Sequence, residues 1–387
     1  MPGTLRPAGR QSSPFRNFVL KIHARCNLRC DYCYVYTMAD QSWRSRPRVM
    51  SRATIDAIAR RIADHAVSHG LPSVDVVLHG GEPLLAGPAL ITYAVRTIRG
   101  ALPAGLRADF SVQTNGMLLD QQFLELFSSL DVGVGLSLDG DAAMHDRHRR
   151  HPDGRGSYPM AAAAAARLAD FPRLFSGILS VLDLRNDPVG AYESLLKFAP
   201  PVIDFLLPHG NWSAPPPGLR PGKTPYADWL IQVFDRWHRA PEKETSVRLF
   251  DEIIGLLLGG ASSTEGIGLS PVAVAVIESD GAIERSDLLK AAYPAAGATG
   301  LNVADHPLDL AVPGHCAPLP SGLAALAAEC RACPVVRICG GGLLAHRYRA
   351  DNGFDNPSVY CGDLYKLISH IRREVYIDLS GLTLNSA

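Results

Sequence analysis

Three cysteines fall within eight residues, in the run Cys26-Asn27-Leu28-Arg29-Cys30-Asp31-Tyr32-Cys33. Thiolates are soft ligands suited to iron–sulfur clusters, zinc or Cu(I). Three ligands, where a closed structural site uses four, leave a coordination position free, as a catalytic metal requires. The bland alternative is half of a zinc site. A second group, Cys330, Cys333, Cys339 and Cys361, supplies four thiolates, enough to close a site around zinc or a cluster. Residues 34–315 contain no cysteine, so two Cys-bearing ends flank a Cys-free body. Cys316 has no clear partner in this pattern and reads as a plain buried thiol.

The chain around them has 387 residues, 47% of them hydrophobic, which is enough for about two globular domains. Lys+Arg and Asp+Glu are both 38, so the formal charge is zero and electrostatics gives no support to nucleic-acid binding. Residues 1–16 are rich in Pro, Gly, Ser and Arg and lack the apolar core of a signal peptide. The most lipid-like run, Ile253 to Leu258, is interrupted by Gly255 and too short to span a bilayer. The expectation is a cytoplasmic protein with neither nucleic acid nor membrane as partner. In a reducing compartment, closely spaced cysteines point to metal or redox chemistry before disulfides.

The elements that must position these thiols alternate. Strand-like runs occur at Phe18–Ile22, Val74–Leu78, Phe110–Val112, Val132–Leu138, Ile178–Leu182 and Ile203–Leu207. Between them lie helical patterns: one that Ser51 can cap, then Ala89–Arg99, a segment through Phe123 and Phe127, Ala161–Leu168, and Tyr192–Phe198. About six strand–helix units imply a parallel sheet with right-handed crossovers, either open or closed as a barrel. In both, chemistry gathers at the C-terminal strand ends. Asn211 to Pro225 reads as a linker, followed by helices near Tyr226–Arg239 and Val247–Leu258 and a smaller loop-rich region from 270.

Cys-x3-Cys-x2-Cys with Tyr32 before the last thiol resembles the signature of radical S-adenosylmethionine (SAM) enzymes. Three further segments follow successive strands in the matching order. His79-Gly80-Gly81-Glu82-Pro83 is similar to the family's GGEP motif, which meets the SAM ammonium group. Gln113-Thr114-Asn115-Gly116 and Ser137-Leu138-Asp139-Gly140 come next, and Ser137 and Asp139 suit hydroxyl and ribose contacts. The resemblance implies an α/β fold: a partial (β/α)6 TIM-like barrel over 17–210, behind a flexible 1–16. Linker and bridging helices over 211–269 then lead to a C-terminal Cys-rich domain over 270–387. It also implies a [4Fe–4S] cluster on Cys26, Cys30 and Cys33 whose open iron binds SAM, with Tyr32, Gly80, Gly81, Glu82, Pro83, Thr114, Asn115, Ser137 and Asp139 around the cofactor. An Arg that often holds the SAM carboxylate in relatives is unassigned, because alanines fill the expected stretch after Met160.

The C-terminal cysteines resemble the SPASM domain, with departures. Leu343 stands where that pattern has a further Cys, and Ser286 precedes Asp287 where two-cluster members have Cys before Asp. The matching set implies one auxiliary [4Fe–4S] cluster on Cys330, Cys333, Cys339 and Cys361. Asp287 corresponds to a proposed proton acceptor in relatives such as the anaerobic sulfatase maturases; the alternative is a solvated loop Asp after Asp280-Gly281. Stretches such as Cys33–Trp43, Pro208–Trp212, Gly340–Tyr348 and Gly353–Cys361 resemble FxsB-type peptide maturases. That likeness implies abstraction of a Cβ hydrogen from a ribosomally made precursor peptide and bonding of the carbon to an aromatic ring, giving a three-residue cyclophane. Asp287 would take the proton and the auxiliary cluster the electron, with an external electron donor supplying the first reduction. Formylglycine or thioether formation is the alternative within this chemistry, and a zinc-stabilised binding protein the alternative outside it. No leader-recognition domain is visible, so a separate leader-binding protein or the sheet edge would hold the precursor. Arg147–His151 reads as a solvated basic loop rather than a contact for an acidic leader. His209, Asn211 and Trp212 are candidate substrate contacts after the sixth strand.

Overall fold

The computed structural model describes residues 13–271, 273–312 and 322–385. Cys316 lies outside the described residues, as do residues 1–12 of the N-terminus. Six strands alternate with helices: β1 (Asn17–His23), α1 (Arg52–Ser68), β2 (Ser73–Gly80), α2 (Gly87–Ala101), β3 (Arg107–Thr114), α3 (Gln121–Leu130) and β4 (Val132–Ser137). Then come α4 (Ala142–His145), α5 (Tyr158–Ala169), β5 (Phe175–Val181), α6 (Pro188–Leu196) and β6 (Val202–Leu206). All neighbouring pairs from β1 to β6 are parallel. The helix starts are written locally. Ser51, Asp120 and Asp187 each accept a backbone N–H three residues on, at Thr54, Phe123 and Gly190.

Period-two alternation sorts the strand side chains. Leu20, Ile22, Leu78, Val112, Val134 and Leu136 are fully buried in one continuous core with Ile55, Ile58, Ile62, Ile91 and Phe127 from the helices. Burying each such side chain contributes roughly 1.5–3 kcal/mol. The intervening positions near the strand ends are polar: Lys21, His79, Gln113 and Ser137. Lys21 pairs in register with His79, and Gln113 donates to the Ser137 hydroxyl at 3.0 Å. A polar interior row is thus set against an apolar outer one.

The sheet does not stop at six strands. After α7 (Pro225–His238), β7 (Ser246–Val247) adds to the free edge of β6, and α8 (Arg248–Leu257) follows. At the other edge, β8 (Val274–Ile277) runs parallel to β1, and β9 (Ala282–Glu284) and β10 (Ala298–Asn302) continue it antiparallel. The order is β10-β9-β8-β1-β2-β3-β4-β5-β6-β7, an open radical SAM-type α/β sheet whose first six helix-linked strands form the partial barrel. The strands β7 to β10 are too short and mixed in pattern to be read from sequence. The C-terminal region ends in α9 (Ala328–Arg331), α10 (Val336–Cys339) and α11 (Cys361–Asn385). Helix α11 docks on α7: Asp363 accepts from the Ala227 N–H at 2.9 Å, and Tyr226 and Tyr360 meet edge to face at 5.0 Å. Among the described residues, no helix is long and apolar enough to cross a membrane.

Candidate cluster and cofactor site

The Cys26–Cys33 loop leaves β1 and lines a cavity of about 180 Å³ together with Tyr32, Gly80, Gly81, Thr114, Asn115 and Ser137. All three thiols are half-buried and unbridged. Burial pushes the Cys26 thiol up to about 12 and the Cys30 thiol to about 11, so their thiolates need a cationic centre beside them. Cys26 Sγ also accepts from the Leu28 N–H at 3.3 Å and the Asn115 amide at 3.5 Å. Among the described residues, neither cysteine group brings three sulfurs within 4.8 Å of one another. A tetrahedral zinc with bonds of ~2.3 Å would draw its sulfurs to about 3.8 Å. The wider spacing suits a cluster.

The Gly80-Gly81 pair is fixed by the cluster loop. A Cβ on Gly80 would sit 2.1 Å from the His23 carbonyl oxygen, and one on Gly81 1.9 Å from the Tyr36 hydroxyl and 2.5 Å from the Arg25 carbonyl carbon. The Gly81 and Glu82 N–H groups donate to His23 and Arg25 carbonyls at 2.8 and 3.0 Å. Glu82 is fully buried and accepts from the Leu84 N–H, the Thr114 hydroxyl and the Asn115 N–H. Glu82, Pro83 and Asp139 therefore form the wall behind the cavity, whereas Gly80, Gly81, Thr114, Asn115, Ser137 and Tyr32 face it.

Arg149 is the residue that the sequence reading missed. The loop 147–151 is not solvated, which corrects that expectation. Arg147 pairs with Asp183 at 2.6 Å, and His148 lies between Asp31 and Asp183 at 2.7 and 3.2 Å. Arg149 is buried and lines the cavity, donating to the Tyr32 hydroxyl at 2.9 Å while Tyr32 donates to Asp139. Its Nε has no partner. A buried guanidinium with a free donor, beside Cys30, is what a carboxylate-bearing cofactor would complete. The only sequence signal was its place shortly beyond β4.

Asp287 is also not a solvated loop residue. It starts a 3-10 turn after β9, is buried, and its Oδ2 accepts from Lys21 Nζ and from the Tyr34 hydroxyl. Its Oδ1, 3.8 Å from Lys290 Nζ, has no hydrogen-bond partner. Burial alone would raise this carboxyl, but Lys21 and then Lys290 hold it well below the usual carboxylate range. Lys290 is itself held between Glu278 and Glu284. His79 Nδ1 accepts from Gly80 N–H at 2.7 Å and meets Lys21 Nζ at 3.0 Å, and burial lowers the ring to about 3, so it is neutral. Tyr34 and His79 line the cavity; Asp287 stands directly behind Tyr34. His209 lines it too, edge-on to Tyr34 at 5.1 Å and lowered to about 4 by burial. Asn211 does not: it is buried, donating to the Ala291 carbonyl at 2.9 Å. Trp212 donates to the Pro357 carbonyl at 2.8 Å and joins two loops.

In the C-terminal region Cys330, Cys333, Cys339 and Cys361 converge from α9, the turn after it, α10 and the start of α11. Their sulfurs lie within electrostatic range of one another, and burial raises Cys339 to about 12. Gly340, Gly341 and Gly342 all have positive φ, and a Cβ on Gly340 would lie 1.7 Å from the Gly268 carbonyl oxygen. Arg347 donates to the carbonyls of all three. The two departures from the SPASM pattern meet at one loop. Ser286 donates to Glu265 at 3.0 Å, and Leu343 lies 3.7 Å from where a Gly266 Cβ would be.

Residues 20–189 match the family model of the Radical SAM superfamily. The chain is 25% identical to the serine-type anaerobic sulfatase-maturating enzyme of Klebsiella aerogenes, over 96% of this chain and 90% of that one. It is 27% identical to the cysteine-type enzyme of Clostridium perfringens, over 68% of this chain and 71% of the relative. The structure of native anSMEcpe with bound AdoMet superposes with a TM-score of 0.80 at 21% identity, covering 94% of this chain and 99% of that one. Streptococcus suis SuiB bound to precursor peptide SuiA superposes at 0.56 and 15% identity, covering 90% and 76%. Residues 20–189 are thus a radical SAM domain, in a chain similar over most of its length to anaerobic sulfatase-maturating enzymes.

Proposed function

We propose that this enzyme oxidises a side chain of a peptide at Cβ, with conversion of Cys or Ser to formylglycine as the leading outcome. The observation that carries the reading is Asp287: a buried, ionised carboxylate with an uncommitted oxygen, one side chain from the cavity that the Cys26/Cys30/Cys33 triad lines. The sulfatase-maturating relatives favour the Cys or Ser outcome.

Cys26, Cys30 and Cys33 would hold a [4Fe–4S] cluster, and Cys330, Cys333, Cys339 and Cys361 one auxiliary cluster. When bound and reduced by an external donor, the first with SAM supplies a hydrogen-abstracting radical, and the second supplies an electron acceptor. Arg149 would hold the SAM carboxylate through its free Nε, with Ser137, Thr114 and Asn115 on the polar wall. Tyr34 and His209 form the apolar rim against which a peptide side chain is placed. Loss of the Cβ hydrogen makes the neighbouring thiol or hydroxyl strongly acidic, and Asp287 accepts that proton at Oδ1. A weak base suffices there, and Lys21 keeps it ionised.

A second reading, the aromatic-to-Cβ crosslink of a precursor peptide, is favoured by Leu343 and by the Glu265–Ser286 pair, which occupy positions where two-cluster maturases have cysteines. Both readings begin at Cβ. Peptides deuterated at Cβ of Cys, Ser or a residue two positions from an aromatic are incubated anaerobically with enzyme and SAM. Deuterium in 5′-deoxyadenosine is expected. A product that traps with a hydrazide indicates formylglycine, and an inert product two hydrogens lighter indicates the crosslink. Modified peptide without label transfer would contradict both.

A further inference from the structure

Away from the cavity, α1 carries His65 and His69, spaced four residues apart and so on one face of the helix. Both turn toward Asp309, in the 3-10 turn Leu308–Ala311 of the C-terminal region. His65 Nδ1 lies 2.6 Å and His69 Nε2 2.7 Å from the same carboxylate oxygen. The three donor atoms lie within 4.8 Å of one another.

The remaining nitrogen of His65 fixes its role. Nε2 is 3.1 Å from the Phe15 carbonyl oxygen, which can only accept, so Nε2 carries the hydrogen and Nδ1 turns its lone pair to Asp309. This is the arrangement of a metal-bound imidazole, whose other N–H is held by a backbone carbonyl. Phe15 and Phe18 pack on the ring at 5.8 and 6.1 Å, leaving the side chain 1% exposed and its direction fixed. His69 and Asp309 are 32% and 40% exposed, so water can complete a coordination shell.

We propose that His65 Nδ1, His69 Nε2 and an Asp309 carboxylate oxygen form a structural zinc site that fastens α1 to the C-terminal region. Two imidazoles and a carboxylate suit zinc, at bonds of about 2.0–2.2 Å. Donors would then stand about 3.3 Å apart, which a small rotation of the half-exposed Asp309 provides. The same helix is already tied to this region by Arg61, which donates to the Val303 and Ala304 carbonyls at 3.0 and 3.3 Å. A metal here would add a crosslink between segments 240 residues apart.

The test uses full-length protein with its iron–sulfur sites reconstituted, then given stoichiometric zinc and desalted. The expected result is one zinc retained per chain with a nitrogen/oxygen first shell at ~2.0–2.1 Å in X-ray absorption, and a melting temperature raised by zinc. His69→Gln and Asp309→Asn, both at half-exposed positions, should lose that zinc and that shift while keeping the iron content of the wild type. Three results would overturn the proposal: a sulfur shell around zinc, equal zinc in wild type and variants, or no zinc retained.

Discussion

At Asp287 a carboxylate is buried between two ammonium groups, Lys21 and Lys290, and still leaves one oxygen without a partner. That combination fits a group kept charged for a proton it has yet to receive. Asp287→Asn keeps the shape and removes the base. SAM cleavage should continue, while modified peptide falls by about 10²–10⁴-fold, the usual contribution of a positioned base. Equal loss of 5′-deoxyadenosine and product would point to a structural role instead. The pH dependence follows from the charges. Asp287 is ionised above its folded pKa, which lies well below the usual carboxylate range, so product per SAM cleaved should stay level as pH falls from neutral toward 5. Lys21→Met removes the larger of the two charges that lower it. The carboxylate then protonates at higher pH, and coupling should fail on the acid side earlier than in wild type. A coincident profile would show that Lys21 does not set the charge state. Asp287 was legible as a candidate from its neighbour Ser286. Lys21, Tyr34 and His79 were not, because their meeting with Asp287 depends on β1, β2 and β9 coming together in space.

The elements show why glycine is needed where the cluster loop and the GGEP segment touch. Gly81 has no room for a methyl group between the Tyr36 hydroxyl and the Arg25 carbonyl. Gly81→Ala should push the Cys26–Cys33 loop away and lower iron from about eight to about four per chain, with the auxiliary site kept. Unchanged iron would mean that the loop yields without disturbing the thiols. The strand ends carrying Cys26, Gly80, Thr114 and Ser137 could be read in order from sequence, because alternating apolar runs mark each strand and the motif follows at once. The basic loop misled. A run of Arg and His reads as solvated when its partners Asp31 and Asp183 lie more than thirty residues away along the chain, and only folding shows that Arg149 faces inward. Glu82 was placed in the right segment, but its burial beneath Thr114 and Asn115 is a packing fact that spacing does not carry.

At the scale of the whole molecule, the sheet runs without a break from β10 to β7, with β8 hydrogen-bonded to β1. The C-terminal region that holds Cys330, Cys333, Cys339 and Cys361 is therefore tied to the strand that leads into Cys26, Cys30 and Cys33. This continuity also carries Asp287 to the cavity, since β9 delivers it beside β1. The sequence showed two Cys-rich ends but not that they share one sheet, because four-residue strands such as β8 have no distinctive period. Both thiol groups are spaced too widely for zinc and enclosed enough to need a cation. The most direct test is iron, sulfide and zinc per chain in protein purified and reconstituted without oxygen. About eight irons and eight sulfides are expected, from two four-iron clusters, with any zinc bound by nitrogen and oxygen alone. No iron after reconstitution, or zinc surrounded by sulfur, would contradict the assignment of these cysteines and with it the radical chemistry.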